Sequence, residues 1–266
     1  MSRNLAAWHT LFVVEHIKAH TEDRVLRLTL NRPERQNALD PDFALALLRH
    51  VANAEEDWRV GAILIDAQGS HFSRGIDLNA SCKGEFLQVL ERLCTVSHHS
   101  SRPIVVAVQG PCLDAALGIV ANAHYAVAAQ GVQFGLTEIR YGSWPFVAFP
   151  AVARAIGNRR AVALSATGRI FSGAEALQFG LIHEIAPAFE LDDRATAIAR
   201  LLANSSQDAM RRGLEFAREQ QHMMFDDAAR FGGDLLAECC RTPDFLEGVE
   251  AMRENRRPDW PSLKSV

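Results

Sequence analysis

Five consecutive apolar residues, 104–108, run into the turn Gly110-Pro111, and from Ala115 to residue 123 the chain is again small and apolar, broken only by Gly118 and Asn122. The first stretch has the length and β-branching of a buried strand, and the second the composition of a buried helix. A strand that turns directly into a helix leaves the first helical N–H groups without intrahelical acceptors. With the helix dipole, they make a seat for negative charge. Taken alone, such a junction is usually tight packing, so its meaning depends on the rest of the chain.

Around it, strand-like and helix-like segments alternate. Residues 12–17 and 25–30 read as a hairpin about the polar segment 19–24, with residues 25–30 (Val-Leu-Arg-Leu-Thr-Leu) alternating in character. Asp40-Pro41 reads as a helix N-cap and first-turn proline, opening a helix to about Trp58. Residues 62–66 form a third expected strand, and a loop with two glycines, 69–78, leads to a helix carrying Phe86, Leu87, Leu90 and Leu93 at helical spacing. After the 104–108 strand and the 115–123 helix comes a strand at 125–128, then a second glycine-containing loop, 135–144, with the acid Glu138 inside it. This alternation predicts a layered α/β core with right-handed crossovers.

From Pro145 onward the signals are almost wholly helical: 146–156, 159–167, a capping box at Ser172-Gly173-Ala174-Glu175, a short strand at 181–185 and a helix at 191–203. Three more helices, near 207–220, 226–240 and 244–255, read as an appended region. The expected division is a core of residues 1–203 and a C-terminal helical region of 204–266.

Composition removes several function classes. A formal charge of −4 over 266 residues provides no global basic field, so nucleic acid is a poor expected partner. Cys82, Cys94, Cys112, Cys239 and Cys240 are odd in number and lack zinc-site spacing, which suits reduced thiols in a cytoplasmic protein. With no 18-residue apolar run and no signal-like start, neither a membrane span nor secretion is expected. The histidines show no metal spacing, Ser73 lacks a G-x-S-x-G elbow, and neither a P-loop nor G-x-G-x-x-G occurs.

Four blocks, in this order and spacing, resemble the enoyl-CoA hydratase/isomerase (crotonase) family. They are Asn31-Arg32-Pro33 through Asn37-Ala38-Leu39, Phe72-Ser73-Arg74-Gly75-Ile76-Asp77-Leu78, the stretch 103–123, and Phe134-Gly135-Leu136-Thr137-Glu138. The tail Phe245-Leu246-Glu247-Gly248 with Arg256-Arg257-Pro258-Asp259-Trp260 adds to the likeness, which spans nearly the whole chain. The resemblance implies an α/β fold, a crotonase-like spiral of ββα units, with C-terminal helices that build a homotrimer or hexamer. It implies an acyl-CoA thioester as substrate and no separate cofactor, coenzyme A being part of the substrate.

Carried onto this sequence, the Ile76 and Ala115 N–H groups are the two oxyanion-hole donors. A carbonyl becoming an enolate needs two such donors about 2.7–3.1 Å from its oxygen, one of them typically worth about 3 kcal/mol. Of the family's two glutamates, one aligns with Gly118 and is missing, and the other is Glu138. Hydration of a 2-enoyl ester is helped by two carboxylates, whereas moving a double bond from position 3 to position 2 needs one base, so Glu138 alone points to an isomerase. Apolar neighbours, among them Trp144, are expected to raise its pKa; the competing reading pairs it with Arg140 or Arg154.

Asp114 is read as N-cap of the following helix, with a second catalytic acid as the alternative. For coenzyme A the resemblance points to Arg35, Ala38, Leu39, Ser73, Arg74 and Asp77, with Arg256 or Arg257 of a trimer neighbour. Phe86, Leu87 and Leu90 are expected along the acyl tunnel. Two rival readings stay open: a hydratase or other crotonase-type lyase, and a non-catalytic protein that binds coenzyme A or assembles with partners.

Overall fold

The computed structural model describes residues 16–79 and 84–264. In chain order its elements are β1 (Ile17–Glu22), β2 (Val25–Leu30), α1 (Pro41–Glu56), β3 (Ala62–Ala67), α2 (Gly84–Cys94), α3 (Val96–His99), β4 (Ile104–Val108), β5 (Cys112–Leu113), α4 (Ala115–Asn122), β6 (Tyr125–Ala129) and β7 (Gln133–Gly135). They continue with α5 (Phe149–Ile156), α6 (Asn158–Thr167), β8 (Ile170–Ser172), α7 (Gly173–Phe179), β9 (Glu184–Ala186), α8 (Leu191–Ala203), α9 (Gln207–Glu219), α10 (Phe225–Cys239) and α11 (Pro243–Glu254).

Six strands form the main sheet in the order β1-β2-β3-β4-β6-β9, parallel except for the β1–β2 hairpin. The central strand β4 is buried at every residue, as a parallel strand covered on both faces must be. Helix α8 lies across β2, β3, β4 and β6. Its inward alanines, Ala195, Ala199 and Ala203, are fully buried and let it approach the sheet closely. Expected helix starts are present: Asp40 accepts a hydrogen bond from the Phe43 N–H, and Ser172 and Glu175 form the reciprocal capping box.

The first hairpin differs from expectation. Its outer strand is Ile17–Glu22, and the turn is the pair Asp23-Arg24, both left-handed at φ 47° and 66°. The segment read as a polar loop is therefore an edge strand, exposed from Lys18 to Glu22, and an exposed edge carries no apolar alternation. Residues 12–15 of the expected strand, like Cys82, lie outside the described residues.

A second small sheet, β5-β7-β8, was not legible because its members are only two or three residues long. It matters for the site. β5 lies parallel to β7, so the chain entering α4 is tied to the chain entering the Glu138 loop, and the Asp114 N–H donates to Gly135 O at 2.8 Å. Likewise α5 begins at Phe149 and not at 146, leaving 145–148 as an irregular turn that lines the site.

Candidate active site

Two loops converge at the N-terminus of α4. Residues 73–76 are pinned by bridges from Ser73 to Cys112 and from Ile76 to Leu39, with Leu39 N–H donating to Gly75 O and Asp77 N–H to Leu39 O, both at 2.8 Å. Gly75 sits at φ 89°, and a Cβ there would come within 2.6 Å of Asp114 Cβ. Only glycine lets the two loops touch. Among the described residues, neither the Ile76 nor the Ala115 N–H has an acceptor. Both residues line one cavity of about 670 Å³, and Glu138 lines it too.

Glu138 opens a short 3₁₀ turn, Glu138–Tyr141, that follows β7. It is 4% exposed, and its Oε2 has no hydrogen-bond partner. Burial first, and then the charge of Asp114, push its pKa up to about 8. The ion pair considered for it is not formed: Arg154 meets His98 Nδ1 at 3.0 Å, and Arg140 is exposed.

Asp114 does not cap α4. Its backbone, at φ 54° and ψ −133°, turns the side chain away from the helix, and no capping hydrogen bond forms. The carboxylate accepts instead from Thr137 N–H at 2.6 Å, Thr137 Oγ1 at 2.7 Å and the Tyr141 hydroxyl at 3.2 Å. A non-glycine residue in this region costs on the order of 1–3 kcal/mol, which those donors offset.

Gly118 faces the opposite situation. A Cβ added there would lie 2.8 Å from Cys94 Sγ and 3.2 Å from Ala148 Cα, so α2 and the 145–148 turn occupy the space a side chain would need. Cys94 itself is fully buried, donates toward Ala115 O at 3.3 Å, and has its thiol pKa pushed up to about 12 by burial.

The remaining expected residues divide. Trp144 lines the cavity and packs against Phe149 at 5.7 Å between ring centroids. Phe86 and Leu90 do not reach it: they are buried in the core, and α2 turns Leu87, Gln88 and Glu91 to the cavity instead. Leu78, Tyr141, Phe146 and Val147 complete the wall. Helical spacing marked an apolar stripe on α2 without telling that the core claims it.

Ser73 is fully buried and donates to Asn37 O at 2.7 Å, fastening its own loop, while Ala38 and Leu39 are buried beside it. Arg35 leans toward Asp77 at 3.6 Å, Arg74 is exposed, and Arg256 is engaged by Glu247 at 2.6 Å. No group of three or more potential metal ligands occurs among the described residues, nor any helix long and apolar enough to cross a membrane.

Paired open N–H groups over an apolar cavity, with buried Glu138 on its wall, can stabilise negative charge on a carbonyl oxygen. The chain belongs to the enoyl-CoA hydratase/isomerase family, which matches residues 20–263. It is 30% identical to a putative enoyl-CoA hydratase of Thermus thermophilus over 86% of this chain and 94% of that one. It is 26% identical to the 2,3-dehydroadipyl-CoA hydratase of Escherichia coli over 90% and 96%. The crystal structure of an enoyl-CoA hydratase from Mycobacterium smegmatis superposes with a TM-score of 0.87 at 27% identity, covering 92% of this chain and 98% of that one. The fold is accordingly the crotonase spiral.

Proposed function

We propose that this protein acts on acyl-CoA thioesters and moves a double bond from position 3 to position 2, with Glu138 as the single acid–base group. The observation that carries this reading is the one-sidedness of the cavity: Glu138 is buried on its wall, while position 118 has neither a carboxylate nor space for one. The thioester carbonyl oxygen would accept from the Ile76 and Ala115 N–H groups. Glu138 takes a proton from C2, the C–H electron pair enters the dienolate held by the two donors, and the same carboxyl returns the proton at C4. A desolvated carboxylate with a raised pKa is the stronger base for a weakly acidic C–H.

Hydration of a 2-enoyl-CoA is the second reading, favoured by the names of the relatives in Thermus thermophilus and Escherichia coli. Against it, Asp114 is held by Thr137 and Tyr141 and is not on the cavity wall, and the other acid there, Glu91, is exposed on α2. Arg35 and Arg74 remain our candidates for the coenzyme A phosphates, and a homotrimer or hexamer remains the proposed assembly. The test is turnover of a 3-enoyl-CoA and a 2-enoyl-CoA, each with the wild type and Glu138→Gln. Conversion of the 3-enoyl ester, lost in the variant, supports the isomerase; hydration of the 2-enoyl ester alone overturns it.

A further inference from the structure

Asp114 adopts a costly backbone conformation, and the proposed reaction leaves it unused. It stands at a φ of 54° that glycine would occupy without strain, is 6% exposed, and spends three hydrogen-bond donors on a carboxylate that does not face the cavity. Strain of this kind persists where surrounding structure enforces it, and here that structure is Thr137 and Tyr141, the residues on either side of the base. Glu138 lies in the turn that these hydrogen bonds hold, its Oε2 has no partner among the described residues, and the charge of Asp114 adds to burial in raising its pKa.

We propose that Asp114 is a positioning residue for Glu138: a fixed buried charge behind the base that ties its carboxyl to one proton and one orientation. Resting on Glu138 as the acid–base group of the site, this assigns a role to the residue replacing what the backbone would accept as glycine. Two neighbouring buried carboxyls cannot both be charged cheaply, so a charge at Asp114 disfavours a second one at Glu138. Asp114 already accepts from Thr137 and Tyr141, so its carboxyl is fixed from the side away from the cavity. Burial is the larger cause of the raised proton affinity of Glu138, and Asp114 adds to it.

The other groups around Glu138 do not supply this effect. From α2 come the neutral thiol of Cys94 and, on the cavity wall, the exposed Glu91; from β5 comes the fully buried thiol of Cys112. On its own turn, Tyr141 donates to Asp114, and Arg140 is exposed beside Gly168. Arg154 of α5 is engaged by His98. The carboxylate whose charge acts on Glu138 is therefore that of Asp114. Because it is turned toward Thr137 and Tyr141, it does not occupy the oxyanion position between Ile76 and Ala115.

The experiment compares wild type, Asp114→Asn, Asp114→Gly and Glu138→Gln in two ways. One is the pH dependence of kcat/KM with a 3-enoyl-CoA, and the other is the infrared carbonyl band of a protonated carboxylic acid, titrated without ligand. Asn retains acceptors for Thr137 and tolerates a positive φ; Gly relaxes the backbone, so the two variants fail differently if folding is at issue. In the wild type we expect a band at pH 7 that Glu138→Gln lacks, and an acid limb near pH 8. In Asp114→Asn and Asp114→Gly the band at pH 7 weakens, the limb moves down, and the plateau falls about threefold to tenfold as the base weakens.

If both variants keep the band and the limb, or change only KM or thermal stability, Asp114 is a structural residue and the proposal is overturned. If the wild type leaves 3-enoyl-CoA unchanged while the band titrates as described, the isomerase reading fails and the role of Asp114 stands.

Discussion

Positions 118 and 138 are built in opposite ways, the first packed against Cys94 and Ala148 and the second set on the cavity wall. At 118, on α4, the chain has no side chain at all, and Cys94 and Ala148 close over the backbone. At 138, at the start of a short turn, it buries a carboxyl, leaves one oxygen unpaired and sets a second carboxylate behind it. One position is closed by packing, and the other carries a desolvated acid at a cost to stability. This contrast teaches that the described residues offer a buried acid at 138 and tight packing at 118, which is why the proposed reaction runs through Glu138 alone.

The largest effect should come from removing the charged side. Glu138→Gln should lower kcat by about 10²-fold to 10⁴-fold while leaving acyl-CoA affinity within a few-fold, as steady-state kinetics and equilibrium binding will show. An equally active variant would end the contrast.

Gly75→Ala tests the loop that carries the Ile76 N–H. With φ at 89° and Asp114 Cβ 2.6 Å from the new methyl, the loop must move, carrying the Ile76 N–H with it. We expect kcat to fall about 10²-fold, in line with loss of one oxyanion donor, together with a lower Tm.

Refilling the packed side should fail. Gly118→Glu is expected to lower stability by about 1–3 kcal/mol or more, read as Tm and urea midpoint, without conferring hydration of 2-enoyl-CoA. A folded, hydrating Gly118→Glu would show that the wall yields, and the hydratase reading would then gain.

The smallest effect concerns pH and stability. The folded pKa of Glu138, about 8, lies above its unfolded value, so the folded state binds the extra proton more tightly. Its contribution is fully present below about pH 4.5 and is lost as pH rises through 8. Glu138→Gln should therefore match the wild type near pH 4 and exceed it near pH 9, on the order of a few kcal/mol at most, by denaturant titration at both pH values.

Much of this was legible in residue order. The buried strand 104–108, the helix after it, the absence of an acid at 118 and the presence of one at 138 are local facts, because apolar periodicity and helix-starting residues act within one or two turns. The N–H pair of Ile76 and Ala115 followed from resemblance, and the fold brings both to one cavity.

Other features depended on chain segments far apart in sequence. Asp114 has the composition of an N-cap, yet its side-chain direction is set by a backbone that β7 holds at positive φ through the hydrogen bond to Gly135, and its partners lie more than twenty residues away. Phe86 and Leu90 share a helix with Leu87 and Glu91, and only packing of α2 against α1 and α4 decided which pair met the core. Sequence determined which segments would be buried and where an acid was available. Which way those side chains point, and what charge stands behind the acid, was decided by contacts between elements that no local pattern encodes.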